Sequence, residues 1–334
     1  MVKDIKYALI IFIIPVFFSC SIRSLAFRAV ADGMAPSYAQ KERDAVRVQK
    51  LKEKGIEVPN PMLAFLGEED VELVSASFPI IMKLYEMMHL QNKKHKPLSS
   101  MTGEFYVMYA NAFVETPATF LPDSEYDKKN EEFVRARKLY LKGYHMLLNA
   151  LELSHFGISD ALNSGDEKAI DEVLRTTGIE DVEQLFWAGS ASLAAFALEP
   201  LNTESEALVY AGQAMLERAT EIFPSYNDGA IWEVLTKFYV AAPESLGGGI
   251  DKAREAYEKA LKFSLGKRPS IYVTYATSFA IPAQDGEAFD EAIGKALSID
   301  AKENPETTLM FTISQNYARW LKAHKEDFIL NLND

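Results

Sequence analysis

Tyr239-Val-Ala-Ala-Pro243-Glu-Ser-Leu-Gly247-Gly248-Gly249-Ile-Asp251-Lys-Ala-Arg-Glu-Ala-Tyr257-Glu-Lys-Ala260 is the stretch that decides the fold. It opens with an aromatic residue and, four positions on, a proline. Proline donates no N–H and its ring clashes with the carbonyl four residues back, so a helix ends there. Three glycines then form a turn. After them Ala253, Ala256, Tyr257 and Ala260 recur at three- and four-residue steps, the spacing of one helix face. Small residues on that face let a partner helix come close. The stretch therefore predicts a helical hairpin, with Asp251 capping its second helix.

The same grammar repeats outward from this unit. Phe113-Val-Glu-Thr-Pro117, Phe196-Ala-Leu-Glu-Pro200 and Phe279-Ala-Ile-Pro282 each close a first helix. Leu216-Glu-Arg-Ala219 and Ile293-Gly-Lys-Ala296 match Tyr257-Glu-Lys-Ala260 in the second helices. Only the first unit diverges, with a second helix at 126–154 built around Tyr140, Tyr144 and Leu148. Between Pro117 and Pro200 an insert at 158–178 reads as an extra helix starting at Asp166-Glu167. Helices at 69–91 and 306–329 flank the array as caps, each with a polar outer face. The β-rich run Ile271–Tyr275 follows Pro269-Ser270 and reads as a helix start. These units resemble the tetratricopeptide pattern of about 34 residues with lengthened loops. The expected fold is all-α, an α-α superhelix of such hairpins with N- and C-terminal capping helices.

Composition narrows the function. Hydrophobic residues make up 48% of the 334, enough for a substantial core, and the net charge is −13. That balance argues against nucleic acid, which needs clustered Lys and Arg, and against a broad anionic membrane surface. The five histidines are scattered, so neither metal nor cofactor is expected. His155 lies near Ser154 and Asp160, but nothing there has the setting of a nucleophile elbow or an acid pair, and no enzyme is expected.

Cys20 is the sole cysteine. Before it run Lys3 and Lys6, an apolar stretch from Tyr7 to Phe18, and Ser19. The stretch is short of the roughly 20 residues of a membrane span. It reads as a signal segment of residues 1–19, after which Cys20 takes an acyl anchor. Residues 20–61 read as a tether and cap, and residues 62–330 as the repeat domain.

Taken together, the Cys20 lipobox, the cryptic helical repeats with long loops, and Leu246-Gly247-Gly248-Gly249-Ile-Asp251-Lys-Ala-Arg254 resemble the T component of TRAP (tripartite ATP-independent periplasmic) transporters over about 45–330. The resemblance implies a periplasmic lipoprotein anchored to a bacterial membrane. It further implies a homotrimer and association with the substrate-binding P component of the transporter. A small, hydrophobic ligand is expected. Trp232, Tyr239, Tyr272, Tyr275 and Phe279, on the first helices of two units, are the candidate pore or groove residues. The alternative is an envelope scaffold that uses the same array to hold other proteins.

Overall fold

The computed structural model describes residues 30–200 and 206–330. Cys20 and the signal segment lie outside them. The described residues are helical, with no strand among them. A helix α1 (Tyr38–Glu53) is followed by α2 (Val71–Gln91). Four hairpins then run in chain order. They are α3 (Lys96–Ala110) with α4 (Tyr126–Glu152), α7 (Val182–Ala197) with α8 (Glu206–Ile222), α9 (Ala230–Ala241) with α10 (Ile250–Ser264), and α11 (Pro269–Tyr275) with α12 (Gly286–Ser298). The insert after α4 folds as two short helices, α5 (Ile158–Asn163) and α6 (Glu167–Leu174), and Asp166 caps the latter by accepting from the Lys168 and Ala169 amides. A last helix α13 (Thr308–Ala323) closes the array.

The helix pairs cross on small residues. In the last three hairpins Ala219, Ala260 and Ala296 are almost fully buried at the expected places. The first two hairpins use glycine as well. A Cβ added to Gly103 would stand 2.9 Å from the Gly143 carbonyl, and one on Gly189 would stand 2.9 Å from that of Gly212. Tyr140 and Tyr144, which mark the divergent second helix, are 1% and 0% exposed and fill the space beside that crossing.

The aromatic-proline signal has two outcomes. At Pro200 and Pro243 the helix simply stops, after Ala197 and Ala241. At Pro117 and Pro282 the preceding turn widens to a π turn, over Asn111–Glu115 and Ala276–Ala280. There the Thr116 amide bonds to Asn111 and the Ile281 amide to Ala276, five residues back instead of four. The wider turn makes room for a ring that would otherwise strike the carbonyl four residues behind it. So Pro117 does not end its helix, which runs one more turn over Thr116–Thr119.

The glycine turn is a tight joint. A Cβ on Gly248 would lie 1.8 Å from the Ala242 carbonyl, and Gly249 sits at φ 141°, where only glycine is comfortable. The Gly249 amide bonds to Tyr239 at 2.9 Å, tying the turn to the end of α9. Gly249 takes the cap position of α10, and no side chain caps it. Asp251 therefore lies in the first turn, where its charge favours the helix N-terminus, and is not the cap.

The two ends of the chain meet. α13 touches α2 and the single turn Leu63–Leu66. Phe120, just past the first hairpin's leading helix, stacks on Trp320 at 5.2 Å and leans on Tyr317 at 5.6 Å. Lys302 pairs with Glu69 at 2.9 Å across the same seam. The array therefore closes on itself instead of ending in two free caps. The N-terminal flanking helix differs from expectation in one respect. α2 buries Val74, Met82, Tyr85 and Met88, and Phe78 nests among Phe105, Tyr109 and Phe113. Its outer face is apolar, not polar: Leu73, Ile80, Leu84, Met87 and Leu90 are all exposed.

Candidate functional site

The leading helices of the hairpins stand side by side, α3 against α7, α7 against α9, α9 against α11, and α11 against α13. This row carries acidic residues in unusual surroundings. Glu104 sits mid-helix in α3, between Gly103 and Phe105, and is 7% exposed. Burial, with the neighbouring Glu183 charge adding to it, pushes its carboxyl up to about 8 against the pull of Lys41. At neutral pH it is a proton donor, not a charge.

A hydrogen-bonded chain runs from that proton. Ser100 Oγ lies 2.8 Å from Glu104, and Gln184 lies 2.9 Å from Ser100. With its amide turned so that its oxygen accepts from Ser100, Gln184 donates to the Glu180 carbonyl at 3.0 Å and the Asp181 carbonyl at 3.3 Å. The protonated Glu104 then donates to Ser100, Ser100 to Gln184, and Gln184 to the backbone, so every member is satisfied.

This chain floors a cleft of about 420 Å³ between the start of α1, the first turns of α3 and the start of α7. Pro36, Tyr38, Pro97 and Met101 give it an apolar wall. Lys41 of α1 closes one side by pairing with Glu183 of α7 at 2.6 Å. α1 buries none of its own residues, so this pair is a principal tie between that helix and the body. Beneath, Lys96 pairs with Asp181 at 2.5 Å, and His155 approaches the other Asp181 oxygen at 2.9 Å.

Further along the row the electrostatics reverse. Burial alone would raise Glu233 of α9, but Lys237, Arg268 and the hydroxyls of Ser270 (2.8 Å) and Thr274 (3.2 Å) outweigh it and hold the carboxyl below its ordinary value. Glu115 is again pushed up, mainly by burial, and accepts the Tyr140 hydroxyl. Along the row, then, Glu104 is neutral at pH 7, Glu115 is shifted the same way and Glu233 the opposite way. Among the described residues no group of three or more His, Cys, Asp or Glu side chains is placed to hold a metal.

Of the aromatic residues picked out from sequence, two cluster and three stand apart. Tyr275 and Phe279 come together with Tyr257 of α10, ring centres 5.2 to 5.7 Å apart, and Arg254 lies over Phe279. Phe279 is 7% exposed and Tyr275 half-buried. The others are separate. Trp232, half-buried, donates to the Pro224 carbonyl at 2.8 Å beneath Lys259. Tyr239, 8% exposed, donates to Glu217 of α8 at 2.8 Å. Tyr272 donates to the Gly266 carbonyl at 3.1 Å. Gly247, Gly248, Gly249 and Asp251 form the joint described above. The cleft residues Lys41, Ser100, Glu104, Glu183 and Gln184 were missed. The available signal was a lone carboxylate, Glu104, inside the apolar run Met101–Met108.

Comparison with known proteins adds two findings. A family model described as TRAP transporter T-component matches residues 67–329. An uncharacterized protein of Treponema pallidum (strain Nichols) is 43% identical over 312 residues, which cover 93% of this chain and 94% of that protein.

Proposed function

This chain belongs to the TRAP transporter T-component family, and from that membership we propose that it works as a lipid-anchored, non-catalytic accessory that binds the transporter's P component and helps a small, hydrophobic ligand pass to it. As a T component it is an accessory part of a TRAP transporter. The observation that carries the finer reading is the family match over the whole row of hairpins, which coincides with a row of leading helices bearing a half-open cleft.

In this reading residues 1–19 are removed, Cys20 holds the chain at the periplasmic side of a bacterial membrane, and residues 20–61 form the tether. Among the described residues no helix is long and apolar enough to cross a membrane, so an anchor at Cys20 would supply the attachment. The repeat domain, 62–330, assembles as a homotrimer. Trp232, Tyr272 and Tyr275, each partly exposed, offer aromatic surface to the ligand, while Tyr239 and Phe279 back them from within.

The test is affinity capture of the P component by the full chain. We expect a saturable complex between the purified proteins. Absence of any complex at high concentration of both would overturn the reading and leave the envelope scaffold as the better account.

A further inference from the structure

The charge of this chain is not spread evenly. Residues 38–54 hold six Lys and Arg against three Asp and Glu, a net +3, which leaves −16 for the rest of a chain whose total is −13. Within that segment Arg43, Arg47, Lys50 and Lys54 follow each other at steps of four, three and four, so they fall on one side of α1 and its C-cap. All four are exposed. Like charges so placed weaken a helix, and α1 buries no residue of its own to offset that. Elsewhere the chain answers its cations locally: Lys83 pairs with Glu86 at 2.7 Å, Arg135 with Glu132 at 2.9 Å and Arg218 with Glu221 at 2.9 Å. On α1 the one ion pair among the described residues is that of Lys41 with Glu183, from the side opposite Arg43. Glu53 accepts from Gln49 at 3.1 Å and does not meet Lys50.

We infer that this basic stripe docks on anionic phospholipid headgroups, laying α1 along the bilayer surface while the acidic body faces away. Charge complementarity names the occupant. A cluster of four or more Lys and Arg beside a membrane attachment gains from each charge it brings near an anionic surface. The same surface repels the acidic remainder of the chain, so the two together set which side of the protein turns to the membrane. Reach agrees. With Cys20 anchored, at most about 35 Å of extended chain separates it from residue 30, where the described structure begins. α1 starts eight residues later, at Tyr38. Arg23 and Arg28 lie between Cys20 and residue 30 and add to the basic run. Val46, 55% exposed at the edge of the stripe, gives α1 an apolar side chain to set between headgroups. The acidity that tells against a broad anionic surface as partner is thus a property of the body and not of this helix. The inference rests on the Cys20 anchor of the reading above only for bringing α1 within reach of lipid.

The test uses the protein purified from its own membrane. Val46→Cys is labelled with a fluorescent dye, the Cys20 thiol being taken by the anchor. The labelled protein is reconstituted into vesicles that contain a zwitterionic lipid with a nitroxide on its headgroup. The vesicles are of phosphatidylcholine alone or of phosphatidylcholine mixed with phosphatidylglycerol. We expect the nitroxide to quench the dye in the phosphatidylglycerol vesicles and not in the others. Quenching should fade as salt rises from about 0.1 to about 1 M and the screening length falls from about 10 to about 3 Å. It should be lost in the triple variant Arg43→Gln, Arg47→Gln, Lys50→Gln, with circular dichroism to confirm retained helix. Equal quenching in both kinds of vesicle means that the anchor alone brings the helix near, and overturns the inference; so does quenching that survives the triple substitution. Unlabelled protein that floats with phosphatidylglycerol vesicles and not with phosphatidylcholine ones refutes the anchor while supporting the helix. Protein that floats with both, its dye unquenched in either, keeps the anchor and overturns the helix.

Discussion

Glu104→Gln converts the cleft floor into a pH experiment. The folded chain keeps the Glu104 proton up to about 8, whereas the unfolded chain releases it near the ordinary carboxylate value of 4.5. Between those limits folding takes up a proton. The stabilisation is complete below the unfolded value and is lost as pH rises through the folded one, at up to about 1.4 kcal/mol per pH unit. From pH about 5.5 to about 8 the parent should therefore lose about 3 kcal/mol that the variant, with nothing to titrate there, keeps. Glutamine has the same shape and still donates to Ser100, so the two proteins should be nearly equal at the acid end. The groups held below their ordinary values, such as Glu86, Asp181 and Glu233, act at lower pH and are common to both chains. Urea unfolding midpoints across that range at fixed ionic strength are the assay. A gap between parent and variant that stays constant with pH would refute the neutral carboxyl and the donor chain built on it.

Other outcomes follow from single contacts. Gly248→Ala should destabilise by more than about 2 kcal/mol in the same unfolding assay, because its Cβ meets a backbone carbonyl that cannot move aside. Phe279→Ala, which empties the ring cluster with Tyr257 and Tyr275, should cost about 3–5 kcal/mol; a loss below about 1 kcal/mol would mean that the ring is not packed as described. Lys41→Met should leave global stability within about 1 kcal/mol, since the ion pair with Glu183 is partly exposed, yet speed trypsin cleavage at Arg43 and Arg47 by freeing α1; unchanged cleavage would show that α1 is held by something else. Mass spectrometry of the protein from its native membrane should find Cys20 as the N-terminus, carrying acyl chains, and Cys20→Ser should leave the chain unlipidated.

The parts of this fold that sequence could show are those written in consecutive residues. The Lys/Arg-Ala cores around Ala219, Ala260 and Ala296 and the helix start at Asp166-Glu167 depend on neighbours within a turn or two, and each lies where its spacing put it; the aromatic-proline pairs mark stops at Pro200 and Pro243 but not at Pro117, and Asp251 is not the cap. What stayed hidden depends on partners far apart in the chain. Gly103 matters because Gly143 crosses it, and Gly189 because Gly212 does; neither pair is a motif. The same four-residue step from Phe to Pro gives a stop at Pro200 and a π turn at Pro117. Beyond Pro117 the chain has something to pack on: Ala118 is 2% exposed and Phe120 goes on to meet Trp320. Glu104 is the sharpest case. Its residue type says charge, and only the burial that α7 and α1 impose says proton. α2 carries apolar residues on nearly every side, so its sequence could not say which of them face inward. The packing of Phe78 against Phe105 and Tyr109 chooses, and in choosing it leaves Leu73, Ile80, Leu84, Met87 and Leu90 in water. A terminal helix that only capped the array would have spent polar residues there.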